Sequence, residues 1–186
     1  MNYFDYSEFA IQIRKDLPAA YAAYWQQLAK PGNWWTGAER VAIALETRNA
    51  LACVFCAERK QALTPYGVEG EHDHAGVLPE RVVDAVHRII TDQNRITQAL
   101  VDDNAANGLS KAAYVELVGI AVTVFSIDEF HRAMGLPVEP LPEPVAGEPS
   151  RYMPPTLVSD MGFVPTIPAE GAKANEADLS LTLIHI

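Results

Sequence analysis

From Thr36 to Leu63 the chain reads TGAERVAIALETRNALACVFCAERKQAL, a stretch with no proline and no glycine after Gly37. It carries both cysteines of the protein, Cys53 and Cys56, in a C-x-x-C spacing. Ala, Leu, Glu, Arg and Lys dominate and favour helix, and Val41, Ile43, Ala44, Leu45, Leu51 and Phe55 supply its apolar face. Thr36 is the expected N-cap, with Glu39 three residues on completing a capping box. The remainder of the chain is then expected to be scaffold around a dithiol.

At about 100° per residue, a continuous helix places Glu39, Glu46, Cys53 and Lys60 on one stripe, with Cys56 on its flank. A break just before Cys53 would instead open a new helix with both thiols in its first turn, where the helix dipole and unpaired N–H groups lower a thiol pKa. Two cysteines can also be plain buried hydrophobes, but both thiols of the chain in one reactive spacing favour redox chemistry. Lys60, one turn after Cys56, is expected to face the sulfur and stabilise a thiolate. Glu46 would either oppose that thiolate or, in a buried setting, act as its base.

Two other regions carry candidate groups. The segment VEGEHDHAGVLP places His72, Asp73 and His74 in a polar loop. An H-x-H spacing alone lacks the third and fourth ligands a zinc site needs, so neither a metal nor a cofactor is expected. If the loop folds over the dithiol, His72 or His74 could move protons there. Further on, Ser110 caps a helix over residues 110–134 that is apolar almost all round, hence buried, and is expected to pack on the cysteine helix. Asp128 and His131 are three apart on it, compatible with an Asp–His pair near the dithiol or with His131 at a surface or an oligomer interface.

The run ERVAIALETRNALACVFCAERKQAL, followed by LSKAAYVELVGIAVTVFSIDEFHRAMGLPVEPLP, resembles the alkylhydroperoxidase D-like branch of the carboxymuconolactone decarboxylase superfamily. The likeness spans residues 35 to 142. It implies an all-α, oligomeric AhpD-like helical bundle and a C-x-x-C dithiol, and it assigns the attack on peroxide to Cys56. The peroxidase members place a glutamate twelve residues before the first cysteine and a histidine four after the second; here those positions are Val41 and Lys60. The family's Asn-Arg pair in the later helix is Asp128-Glu129.

Elsewhere, helical periodicity covers residues 4 to 29, with Pro18 starting a second helix or kinking the first. It covers the segment around Val82, Val83, Val86, Ile89 and Ile90, where His87 is expected to be a satisfied, partly buried histidine, and Asn94 to Asn107. Trp34 and Trp35 are expected packing anchors. Six to eight helices follow. Pro and Glu then crowd the sequence, so the expected division is a helical domain over residues 1–142 and an extended Pro-rich C-terminal arm and tail over 143–186, in which LSLTLIHI alternates like a strand. A net charge of −10 argues against nucleic acid and anionic membrane partners. The N-terminal sequence lacks a signal-peptide pattern, so a cytoplasmic location is expected. The apolar tail and arm suggest a homo-oligomer, most simply a homodimer.

The expected function is a thiol-dependent oxidoreductase. One of Cys53 and Cys56 attacks a small peroxide or disulfide, the other resolves it, and an external dithiol reductant resets the pair, with Glu46, Lys60 and His131 as auxiliary catalytic groups. Two alternatives are a decarboxylase-like lyase using Lys60, Arg59 or His131, and a catalytically silent oligomeric binding protein.

Overall fold

The computed structural model describes residues 3–7, 9, 11–159 and 162–168. The expected strand-like end LSLTLIHI lies outside these residues. Among them the fold is all-α: helices α1 (Asp16–Leu28), α2 (Gly37–Ala50), α3 (Val54–Gln61), α4 (Glu80–Thr91), α5 (Gln98–Ala106) and α6 (Lys111–Ala133), with one isolated bridge between Val158 and Thr166. Among the described residues no single helix is long and apolar enough to cross a membrane.

The centre is a three-helix packing of α2, α4 and α6. Ile43 and Ala44 of α2, Val83 and Val86 of α4, and Leu117, Ile120, Ala121 and Val124 of α6 are all buried in one cluster. Burial of each of the larger aliphatic side chains among them stabilises the fold by roughly 1.5–3 kcal/mol before ordering costs. α2 starts where its sequence says it should. Thr36 Oγ1 accepts the Glu39 N–H at 3.3 Å, and Glu39 Oε2 accepts the Thr36 N–H at 2.8 Å. Trp35 is an anchor as expected, buried with its indole N–H donating to the Ala113 carbonyl at 3.0 Å.

The stretch Thr36–Leu63 is broken rather than continuous. At Asn49 to Cys53 the backbone bonds shift to i→i−3, with Ala52 N–H on Asn49 O and Cys53 N–H on Ala50 O. Cys53 turns extended at φ −67°, ψ 118° and becomes the N-cap residue of α3. No local breaker dictates this. An eight-residue helix is too short to hold by itself, and here both ends are secured from elsewhere: Asp73 Oδ2 accepts the Val54 N–H at 3.0 Å, and Arg95 Nη2 donates to the Lys60 carbonyl at 2.8 Å. A carboxylate at the start and a guanidinium at the end both complement the helix dipole. α3 packs against α4, whereas it is α2 that packs against α6.

Two boundaries differ from the periodicity. Only Asp16–Leu28 of the N-terminal segment is helical, with Pro18 in its first turn where no N–H is needed. The preceding residues instead dock by side chains, with Phe4 buried edge-on against Trp25. α5 begins at Gln98, after a single 3-10 turn Gln93–Arg95. Past α6 the arm is extended and lies along the helices: Trp25 Nε1 donates to Pro140 O at 2.9 Å, and the Val145, Ser150 and Arg151 N–H groups donate to Ala29, Gly32 and Asn33 carbonyls.

α6 ends in a Schellman arrangement. Gly135 adopts φ +69°, Leu136 N–H reaches His131 O at 2.8 Å and Gly135 N–H reaches Arg132 O at 3.1 Å. A Cβ at Gly135 would meet nothing within 4 Å, so the cost of adding one is that of the left-handed backbone alone. Gly135→Ala is therefore expected to lower unfolding free energy by about 1–2 kcal/mol, measured by urea denaturation at unchanged slope.

Candidate functional site

The break before α3 turns both sulfurs inward, where Cys53 is 3% and Cys56 2% exposed, each a free thiol. Two histidines meet them. Cys56 Sγ lies 3.2 Å from His87 Nδ1 and 3.4 Å from His72 Nδ1, and Cys53 Sγ lies 3.7 Å from His72 Nδ1. The two imidazole rings are 4.3 Å apart between centroids.

Each imidazole is held from behind by a carboxylate. His87 Nε2 is 2.8 Å from Glu46 Oε1, and His72 Nε2 is 3.0 Å from Asp84 Oδ1. A neutral imidazole carries one N–H; donating it to the carboxylate leaves Nδ1 as an acceptor for a thiol. Two chains result, Cys56–His87–Glu46 and the Cys pair–His72–Asp84. Asp84 also accepts from Arg59 Nη1 at 2.7 Å and Arg88 Nε at 2.8 Å. Burial pushes its carboxyl up, but the bonds from His72 and Arg59 and the charge of Arg88 prevail and hold it well below the usual carboxylate range.

The lid of the site is the polar loop. It is pinned by His72 on Asp84, by Asp73 on the Val54 N–H, and by the Ala75 N–H donating to Glu46 Oε2 at 3.1 Å. Gly70 passes over Phe55 so closely that a Cβ would lie 2.7 Å from the ring. Glu46 thus serves α4 with one oxygen and the loop with the other.

Burial dominates the electrostatics. It pushes the Cys56 thiol up to about 12, with the neighbouring Cys53 adding to the rise and the Arg59 guanidinium opposing it. It also lowers His87 below its ordinary 6.5, against the pull of Glu46. The resting pair is a neutral thiol hydrogen-bonded to a neutral imidazole.

Of the residues singled out from sequence, the structure brings together Glu46, Cys53 and Cys56. Lys60 does not join them: it is exposed on α3, because the buried stripe of that segment runs Cys53, Cys56, Arg59 at three-residue spacing. Arg59, 3% exposed, is the cation beside the thiols. His131 is also elsewhere. Its Nδ1 donates to Pro137 O at 2.7 Å, leaving Nε2 to accept from the Tyr6 hydroxyl at 2.7 Å, so it fastens the N-terminal segment and the arm to α6. Asp128 pairs with Arg48 at 2.8 and 2.9 Å instead of with His131. Of the loop histidines, His72 reaches the sulfurs and His74 closes a turn onto the Gly76 N–H.

His87 is the residue that sequence reasoning placed but did not recognise. It falls one turn after Val83 on the inward face of α4, so its burial was readable; it is 0% exposed. What it meets belongs to α2 and α3, and no local pattern encodes that. With it, the ligands missing from the H-x-H motif are supplied: the donor atoms of Cys53, Cys56, His72 and His87 all lie within 4.8 Å of one another. Among the described residues these four side chains thus form a group that could hold a metal ion, the partners of His72 coming from segments the H-x-H spacing does not show.

No family model matches the chain, and neither curated proteins nor solved structures provide a match.

Stability should follow these shifts. The depressed His87 contributes stability that is present above 6.5 and lost as pH falls through its folded pKa. The raised Cys56 contributes stability that is complete below 9.0 and lost as pH climbs toward about 12. The reduced, chelator-treated protein is expected to show a plateau of melting temperature between these limits. His87→Gln should flatten the slope just below the plateau and Cys56→Ser the slope above it.

Proposed function

We propose that the protein is a dithiol oxidoreductase acting on a small peroxide or disulfide, with Cys56 as the attacking sulfur and Cys53 as the resolving one. The observation that carries this reading is the Cys56–His87–Glu46 chain, 3.2 Å and 2.8 Å between successive polar atoms. A nucleophile within reach of a base that is itself oriented by a carboxylate is the arrangement nucleophilic catalysis requires.

In this reading His87 Nδ1 takes the Cys56 proton, and Glu46 stabilises the imidazolium. The thiolate attacks one peroxide oxygen; the S–O bond forms, the O–O bond breaks, and His87 returns the proton to the leaving alkoxide. Cys56 is now a sulfenic acid. Cys53 attacks its sulfur, its own proton passing through His72 to the departing hydroxide, and a Cys53–Cys56 disulfide and water result. An external dithiol restores both thiols by exchange. With a disulfide substrate, the same thiolate forms a mixed disulfide that Cys53 resolves. Because both sulfurs are buried, the His72 loop must lift to admit substrate.

The contact geometry favours Cys56 for attack. It contacts both imidazoles, whereas Cys53 contacts His72 only. The resemblance noted above assigns the same residue. The proton shuttle that a histidine four residues after the dithiol provides in that family would here come from α4, with Arg59 in the electrostatic role first expected of Lys60. A homo-oligomer remains part of the proposal, supported by exposed Val54 on α3 and exposed Leu63, Tyr66 and Val77 between α3 and α4.

The test is a peroxide pulse on the fully reduced, metal-free protein, followed by thiol titration and mass mapping. Wild type is expected to lose both thiols to a 53–56 disulfide. Cys53→Ser should stop at a sulfenic acid on Cys56 that dimedone traps. His87→Gln should slow oxidation by roughly 10²–10⁴, and Lys60→Met should leave it unchanged. Oxidation of His87→Gln at the wild-type rate, or no 53–56 disulfide at all, would overturn the proposal.

A further inference from the structure

We infer that Cys53, Cys56, His72 and His87 form a tetrahedral binding site for zinc(II), or a divalent ion of like chemistry, and that the bound ion holds the dithiol against oxidation. The geometry supports a metal of this size. Bonds of about 2.3 Å to sulfur and 2.0–2.1 Å to nitrogen at tetrahedral angles separate neighbouring donors by roughly 3.3–3.8 Å. Three of the four sulfur–nitrogen separations are 3.7, 3.4 and 3.2 Å, and every remaining donor pair, Cys53–His87 included, falls within 4.8 Å.

The surroundings are those of a metal centre. Both imidazoles present Nδ1 to the centre and anchor Nε2 on a carboxylate, Glu46 and Asp84 at 2.8 and 3.0 Å, the outer-shell contact that fixes a ligating histidine's tautomer and direction. Two thiolates balance the charge of a divalent cation, and two sulfurs with two imidazoles match zinc's preference for soft and borderline donors. Copper(II) would bind such donors tightly but favours a tetragonal arrangement. Four protein ligands and near-complete burial leave no position for water, so the occupied site is of the closed, structural kind. The donors come from the first turn of α3, the loop and α4, so the ion would tie three segments together.

Binding is balanced as follows: two thiols lose their protons, two imidazole lone pairs are donated, and one neutral complex forms from one divalent cation. Metal binding needs only these donors and stands apart from the oxidoreductase proposal. The protection from oxidation rests on that proposal, because the same sulfur lone pairs cannot bind an ion and attack peroxide together. A dithiol that has let go of the ion is oxidised as above and no longer offers two thiolates to rebind it: in sum, one zinc-bound dithiolate, one hydroperoxide and two protons give one disulfide, one alcohol, one water and one free zinc ion.

The experiment is a cobalt(II) titration of the reduced full-length chain, followed by displacement with zinc and a peroxide pulse on the zinc-loaded form. Expected are saturation at one equivalent, a thiolate-to-cobalt charge-transfer band with intense tetrahedral d–d absorption, and a higher melting temperature with zinc. Asp84→Asn should weaken affinity by roughly 10- to 100-fold, Cys56→Ser should abolish the charge-transfer band's full intensity, and His74→Ala should change nothing. X-ray absorption of zinc-loaded wild type should read two sulfur and two nitrogen neighbours, a measurement independent of whether any variant folds. An oxygen-only or six-coordinate shell, or saturation unaffected by Cys56→Ser, would overturn the site. Zinc is expected to slow disulfide formation at least about tenfold, because a sulfur committed to the ion must be released before it reacts as a free nucleophile; an equal rate with and without zinc overturns the protection. If cobalt binds as described and the metal-free dithiol ignores peroxide, the oxidoreductase proposal and the protection built on it fail while the metal site stands.

Discussion

One buried carboxylate holds the site together. Glu46, 1% exposed in the middle of α2, would be destabilising by several kcal/mol if left without partners in that setting. Both of its oxygens are used, Oε1 on His87 Nε2 and Oε2 on the Ala75 N–H. Those two bonds fix the ring of α4 toward the sulfurs and draw the loop down over them. Remove the carboxylate and the imidazole loses its orientation at the same time as the loop loses an anchor. The arrangement thus couples the orientation of His87 to the anchoring of the loop through a single side chain.

Asp84 performs the matching task on the outer side. It collects His72, Arg59 and Arg88, so the second imidazole is positioned by a carboxylate already saturated with positive partners. The two histidines therefore sit in different fields, one against a buried carboxylate and the other against a neutralised one. Groups made unlike by their surroundings can divide proton transfer between them. The same pair of carboxylate-braced rings also suits a metal ion, and the proposed dithiol chemistry and the inferred metal binding would draw on one set of lone pairs.

At the far end of α6 the polar groups serve assembly. Arg48 joins Asp128 and the Glu139 carbonyl, while His131 joins Tyr6 and Pro137. These contacts satisfy buried polar atoms and fasten the N-terminal segment and the arm across the helices. A histidine and an aspartate three residues apart suggested chemistry; their outside partners make them fasteners.

The sequence by itself determined the all-α class, the capping box at Thr36 and Glu39 and the close spacing of the two thiols, because those depend on periodicity, local hydrogen bonds and spacing; α6, apolar almost all round, buries only the face that carries Leu117, Ile120, Ala121 and Val124. It offered both a continuous and a broken cysteine helix, and nothing between Asn49 and Cys53 chose between them. The choice came from Asp73 and Arg95, which cap α3 across long stretches of chain. For the same reason Lys60 was legible as a neighbour of Cys56 by helical spacing, yet the buried side of α3 turned toward Arg59. His87 could be placed on the inward face of α4, but its role arises only where α2, α3, α4 and the loop converge. Local structure follows from neighbours within a turn or two; the meeting of two sulfurs, two imidazoles and two carboxylates follows from packing, which alone decides what each inward face encounters.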